Sequence, residues 1–360
     1  KATLTQGVKF LEIVIMGLAM AGFMLEQYWL LFVALFLMGS QSTFFGPIKY
    51  AYLPEVMHQD ELVGANGIFQ TGTSLAILTG MMMAGVLTQL DNSSLWISLM
   101  TLVIAVLGFI ASKFLPKTKA SVPNLRINYN IFSTSFELIQ YLYRLPLLYF
   151  IILGNSWFWF YGAIFLAQMP EFTKVILHGN ETVVILLLTL FSVGTALGSL
   201  LCKTLTKNQI SLKLLPIGIL GLSAFAMDLY FALNAIHINA NTVYTVGALI
   251  KISGVWRVFG DLFLLGLFGG VYIVPLYAFM QAYAPQSHRS RVVGVNNIFN
   301  AIFMVSSAIF AIVILTVLKL SLPQLFLIIG ICNGLFGLFI YKKLSYYQGS
   351  MQINNDAMPL

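Results

Sequence analysis

The chain has 360 residues, 59% hydrophobic and 9% charged, with a formal net charge of +7 and a mean hydropathy of +0.89. A soluble globular domain carries about a quarter charged residues, so this balance excludes a water-soluble enzyme, a disordered chain and a disulfide-stapled secreted module. The two cysteines, Cys202 and Cys332, stand 130 residues apart without metal-ligand spacing; they read as packing residues, and neither a metal nor a cofactor is expected.

About eighteen or more apolar residues cross a hydrocarbon layer roughly 30 Å thick as a helix. The helix is forced because hydrocarbon offers no partner to an unpaired backbone N–H or C=O. In chain order such runs occupy 8–26, 27–48, 62–90, 92–112, 145–170, 182–202, 214–236, 262–287, 292–318 and 320–341. Single acids interrupt two of them, Glu12 in the first and Asp228 in the seventh. The reading is an all-α membrane protein with ten spanning helices. Between the fourth and fifth runs lies a stretch rich in Pro, Lys and Ser. After it Ile131, Phe132, Phe136, Leu138, Ile139, Leu142 and Tyr143 recur near helical spacing. That pattern predicts a linker and then an amphipathic helix at the membrane surface. The expected organisation is an amino-terminal bundle over 1–115, a linker over 116–146, a carboxy-terminal bundle over 147–343 and a tail over 344–360.

Basic residues orient the spans. Of the 19 Lys and Arg, fifteen fall in one alternating set of loops and four (Lys174, Lys251, Arg257 and Lys319) in the other. The richer side is cytoplasmic by the positive-inside rule, which puts both ends of the chain in the cytoplasm. The net charge is thereby topological, and no nucleic-acid partner is expected.

A repeat follows from the loops. Val63-Gly-Ala-Asn-Gly-Ile-Phe69 recurs 230 residues later as Val293-Gly-Val-Asn-Asn-Ile-Phe299, with five identities in seven and the same place at the start of a span. Two halves repeated with the same orientation are the plan of major facilitator transporters, whose halves have six helices each. Four spans precede the shared loop in the second half and two in the first. The expectation is a major facilitator fold of two pseudo-symmetric bundles with ten of twelve helices present, the first two lacking.

At these residues the sequence resembles a known family. Phe45-Gly-Pro-Ile-Lys-Tyr-Ala-Tyr-Leu-Pro-Glu55, Ala65-Asn-Gly and Ala76-Ile-Leu are similar to the fourth and fifth helices of bacterial lysophospholipid transporters. Gly154-Asn-Ser-Trp-Phe-Trp-Phe160, Gly269-Gly-Val-Tyr-Ile-Val-Pro-Leu-Tyr277 and Ser287-His-Arg-Ser-Arg291 resemble the branch fused to an acyltransferase and an acyl-carrier-protein ligase. The resemblance implies a multi-pass protein of the bacterial inner membrane that moves lysophospholipids into or across it for reacylation. It also implies membrane lipids and a fused or separate acyltransferase and ligase as partners. No His is followed five residues later by Asp, so any such enzymatic activity would lie outside this chain. Two other readings stay open: a drug or small-metabolite permease, and the membrane module of a fused phospholipid acyltransferase.

Candidate site residues are polar groups on apolar spans. In 145–170, Trp157, Tyr161 and Gln168 share one stripe, and Asn155, Trp159 and Gly162 another. Aromatic residues of this kind also pack against lipid, but a buried amide such as Asn155 needs a protein or ligand partner. In 262–287, Gly266, Gly269, Gly270 and Pro275 allow close approach or bending, and Tyr277 and Gln281 follow. Asn155, Trp159, Gln168, Tyr277 and Gln281 are the substrate-binding candidates. Asn66 and Gln70 map through the repeat onto Asn296 and Asn300, and these four amides are expected either to form a cytoplasmic gate or to contact a polar head group. Asp228 reads either as a proton-coupling acid or as a side chain reaching the outer interface. Arg257 with Asp261, and Lys9 with Glu12, read as structural pairs within their own helices.

Overall fold

The computed structural model describes residues 1–118, 130–207, 209–239, 241–285 and 288–356. Lys119 and Arg126 of the expected linker, and Ser287, lie outside them. The helices are α1 Ala2–Met24, α2 Tyr28–Val56, α3 Leu62–Leu87, α4 Ser93–Ser112, α5 Ile131–Tyr143, α6 Pro146–Glu171, α7 Glu181–Leu205, α8 Leu215–Ala235, α9 Val246–Leu249, α10 Val255–Tyr283, α11 Arg289–Ile312 and α12 Leu322–Asp356. Ten of these, all but α5 and α9, are long and apolar enough to cross a membrane among the described residues. They coincide with the ten expected runs. The departures are at the ends: α10 begins at Val255 rather than 262, and α12 continues through Lys342 and Lys343 to Asp356. Lys342 and Lys343 end the apolar run without ending the helix. Buried Leu344 and the stacking of Tyr347 on Phe150, 5.7 Å between ring centres, hold the added turns against α6.

Local signals set several boundaries. Pro146 opens α6, where its missing N–H has no helical partner to lose. Asn180 caps α7 by accepting from the Val183 N–H at 3.3 Å. Both α6 and α11 finish in a π-helical turn, Phe172–Ile176 and Val313–Val317, followed by His178 and Lys319 in the left-handed region.

The chain forms two compact units, Lys1–His58 with Thr79–Thr134 and Ala284–Asn297, and Gln59–Leu78 with Ser135–Tyr283 and Ile298–Leu360. In the first, α1 packs against α2 and α4. The Lys9–Glu12 pair forms as expected at 2.7 Å, and Gln41 of α2 donates to Glu12 at 3.1 Å. Glu55 pairs with Lys1, and the Arg289 guanidinium donates to the Pro54 carbonyl at 3.4 Å.

In the second unit α10 lies against α6, α7 and α8, and α12 against α6 and α8. The α7–α10 crossing is so close that a Cβ on Gly198 would lie 1.9 Å from the Leu267 carbonyl oxygen. Side chains there would hold the helices apart, so small residues are required. Buried polar groups tie the remaining helices: the Trp157 indole donates to Asn333 at 3.0 Å, and Asn333 donates to Ser223 at 2.9 Å and to the Ile219 carbonyl at 3.1 Å. Tyr161 donates to the Leu222 carbonyl at 2.9 Å. The expected pairing of Arg257 with Asp261 is replaced by one across helices: Arg257 Nε meets Asp228 Oδ2 of α8 at 2.9 Å. The physical reason is reach, since the long guanidinium stem extends to a carboxylate on the neighbouring helix.

Candidate functional site

The second unit encloses a cavity where α3, α6, α7 and α11 converge. From α3 come Gln70, Thr73, Ser74 and Ile77; from α6, Phe158, Trp159, Gly162, Ala163 and Leu166. Phe191, Ser192 and Thr195 of α7 and Met304 of α11 complete the wall. The spacing 70, 73, 74, 77 is one helical face, so α3 presents a polar strip opposite the aromatic wall of α6. The Trp159 indole is fixed by donating to the Tyr277 hydroxyl at 3.0 Å, which joins α6 to α10 behind the cavity.

The amino-terminal part of α3 is pinned on this unit by polar contacts. Asn66 and Gln281 are both buried and exchange hydrogen bonds, Asn66 Nδ2 to Gln281 Oε1 at 2.6 Å and Gln281 Nε2 to Asn66 Oδ1 at 3.1 Å. The second Asn66 N–H goes to the Leu62 carbonyl at 2.8 Å. One turn on, Thr71 donates to the Ala196 carbonyl at 3.1 Å. Gly67 approaches Ser199 so closely that a Cβ would lie 2.6 Å from its carbonyl oxygen. Across the other side, Ser156 of α6 donates to Asn300 of α11 at 2.9 Å.

The cavity shares Ala163 and Met304 with a groove between α6 and α11. Ala167, Gln168, Glu171, Ser307, Ala308, Ala311 and Leu315 line that groove. Its volume is about 570 Å³, against about 100 Å³ for the cavity. Small-molecule sites commonly enclose roughly 300–1,000 Å³, so the groove has room for a ligand and the cavity for a few waters or a small group. Gln168 Oε1 is buried in the groove wall without a hydrogen-bond partner among the described residues.

The sequence-derived candidates therefore separate by position. Trp159 and Gln70 line the cavity, Tyr277 holds Trp159, and Gln168 lines the groove. Gln281 and Asn66 bond to each other, and Asn300 bonds to Ser156. Asn155 is fully buried with its amide nitrogen 3.8 Å from Met280 Sδ, and Asn296 is fully buried in the first unit. Thr73, Ser74, Ser192, Thr195 and Met304 were not singled out in the sequence. Thr73 and Ser74 carried a usable signal, because they extend the polar face begun by Gln70.

The sequence model of the Major Facilitator Superfamily matches residues 10–308. This chain belongs to the major facilitator superfamily. Among its superfamily relatives, the lysophospholipid transporter LplT of Klebsiella pneumoniae is 28% identical over 257 residues, which cover 69% of this chain and 58% of that protein. The chain thus spans under two thirds of that relative's length. The LplT of Cronobacter sakazakii is 26% identical over 315 residues, covering 86% of this chain and 71% of the relative. In structure this major facilitator chain resembles the human organic anion transporter MFSD10, with a TM-score of 0.67 at 12% identity over 95% of this chain and 80% of the other. That likeness establishes the fold.

Proposed function

We propose that the protein is a transporter that moves lysophospholipids into or across the bacterial inner membrane, where an acyltransferase and ligase reacylate them. The observation that carries this reading is the sequence likeness to proteins named lysophospholipid transporter, which extends over 86% of the chain in the Cronobacter protein. The site chemistry supports it. A lysophospholipid has one acyl chain and a polar head. The α3 strip of Gln70, Thr73 and Ser74, with Ser192 and Thr195 facing it, offers hydroxyls and an amide to a head group. The adjoining groove, walled by Ala163, Ala167, Ala308 and Ala311, offers small apolar residues to a single chain. Gln168 Oε1 supplies a free acceptor for a lipid hydroxyl.

In this reading the bundles over 1–115 and 147–343 are the two repeats and 116–146 joins them. Both ends of the chain lie in the cytoplasm, and the chemistry of reacylation belongs to a fused or separate enzyme. Asn66, Gln70, Asn296 and Asn300 serve as the gate at the cytoplasmic ends of α3 and α11, with Gln281 as the partner of Asn66. Cysteines placed at Lys117 or Lys207 test the orientation: maleimide reagent should reach them only after the membrane is permeabilised.

The decisive experiment reconstitutes the full-length protein in vesicles and supplies labelled lysophosphatidylethanolamine beside its two-chain counterpart. Uptake of the single-chain lipid should far exceed that of the two-chain lipid and should need the protein. Equal uptake with and without the protein, together with robust export of a cationic dye, would overturn the reading in favour of a drug permease.

A further inference from the structure

In the orientation proposed above, the outer ends of α7 and α10 border a groove of about 470 Å³. Leu186 and Leu190 of α7 form one wall, Ile250 just after α9 a second, and Trp256, Gly260 and Phe263 of α10 the third. Every residue that lines it is apolar or aromatic. Two polar clamps hold the walls in place. The Asn180 N–H donates to the Tyr244 carbonyl at 3.0 Å and the Tyr244 N–H to the His178 carbonyl at 2.8 Å, which fixes the segment before α9 against the start of α7. The Trp256 indole donates to the Ile250 carbonyl at 3.2 Å, and Leu249 is fully buried beside it in sequence.

Gly260 keeps the groove open. At Gly194 and Gly266, on the same helix pair, a Cβ would lie 2.1 Å from a carbonyl oxygen of the facing helix, so packing demands glycine there. A Cβ on Gly260 would meet nothing within 4 Å. Glycine is a poor helix former, and no neighbour requires it at this position; what it leaves is space. The space has the dimensions of one acyl chain in one leaflet. From Trp256 to Phe263 the helix descends about 10 Å at 1.5 Å per residue, within the roughly 15 Å that is half the hydrocarbon thickness. A tryptophan at a helix end stands at head-group level. Lys251, the residue after Ile250, is exposed, and its ammonium pairs with no acid among the described residues. The nearby Arg257 is taken by Asp228. An uncompensated cation at the rim of an apolar slot matches a phosphate above a hydrocarbon chain.

We propose that this groove binds a membrane glycerophospholipid with an anionic head group, one acyl chain lying between α7 and α10 and the phosphate meeting Lys251. The chain fills the gap on the outer side of the Gly194–Phe263 backbone contact, and by binding the folded form it stabilises the α7–α10 crossing. The site is separate from the cavity: α7 turns Leu186 and Leu190 to the groove, and Ser192 and Thr195 to the cavity. It does not depend on what the protein transports.

Titrating the full-length protein in detergent micelles with phosphatidylglycerol tests this. The melting temperature should rise and saturate. Gly260→Leu, which fills the groove with its own side chain, should gain little from the lipid. Lys251→Gln should keep the gain but need about fivefold more lipid to reach half of it. Phosphatidylglycerol with brominated chains supplies a second readout in the unaltered protein. It should quench Trp256, read as the difference from Trp256→Phe, at a lower lipid fraction than Trp29, an indole at the outer end of α2 that is 61% exposed against 65%. Quenching of the two indoles at the same lipid fraction would overturn the proposal, and it decides the matter if Gly260→Leu fails to fold. So would a melting gain in Gly260→Leu equal to that of the unaltered protein, or an unshifted midpoint in Lys251→Gln.

Discussion

The reciprocal amide bond between Asn66 and Gln281 joins the amino end of α3 to the carboxy end of α10, and replacing both residues by leucine removes it without leaving either amide orphaned. Two interhelical hydrogen bonds are lost, at 2.6 and 3.1 Å, besides the bond from Asn66 to the Leu62 carbonyl of its own helix. Interhelical side-chain bonds in membrane proteins average about 0.6 kcal/mol each. The pair then contributes roughly 1.2 kcal/mol, which at tenfold per 1.4 kcal/mol is about a sevenfold bias toward the conformation that contains it. Gln281→Leu alone should be worse for stability than the double variant, because the Asn66 carbonyl oxygen and one of its N–H groups lose their partner while remaining buried, at a cost of about 1–3 kcal/mol.

A cysteine at Ser74, which lines the cavity, reports the consequence. In a background without Cys202 and Cys332, its reaction with a water-soluble maleimide applied from the cytoplasmic side should accelerate about sevenfold in the double variant. Thermal unfolding in the same samples separates gating from scaffolding. An unchanged labelling rate with a lowered melting temperature would show that the pair only glues α3 to α10, and the gate assignment of Asn66 would fail.

Gly198→Val places a Cβ 1.9 Å from the Leu267 carbonyl oxygen, whereas ordinary contact begins near 3.4 Å, so α7 and α10 must part by about 1.5 Å. Overpacking of this kind costs about 1–3 kcal/mol or more. The folded yield should fall sharply, while Gly260→Ala on the same helix pair, with open space around its Cβ, should be tolerated. Ala308→Trp fills the groove between α6 and α11. Uptake of long-chain lysophospholipid should drop at least severalfold, and short-chain uptake less, with the amount of folded protein unchanged. Equal uptake of both chain lengths at the original rate would remove the groove from the transport path.

The number and place of the spanning helices are properties of the sequence alone. A run of apolar residues must satisfy its backbone internally wherever hydrocarbon surrounds it. That requirement is local, so it survives ignorance of every neighbour. The loop repeat at Val63 and Val293 is legible for the same reason: it is a pattern along the chain. The rule that a lone amide in an apolar run needs a partner drew attention to Asn155. Applied evenly it would also have found Asn333, which joins Trp157 and Ser223 at the centre of the second unit.

Partner choice was decided only by the tertiary structure. Arg257 and Asp261 have the spacing of a helical pair, yet the guanidinium goes to Asp228, 29 residues earlier. The repeat maps Asn66 and Gln70 onto Asn296 and Asn300, but it does not foretell that Asn66 bonds to Gln281 and Asn300 to Ser156. The cavity brings together four helices, of which only α6 and α7 are consecutive in the chain. Such pairings depend on the rotation of each helix about its axis and its height against its neighbours. Those are set by close approaches such as Gly198 on Leu267, where absent side chains let two backbones touch, and no periodicity within one helix records which backbone it will meet.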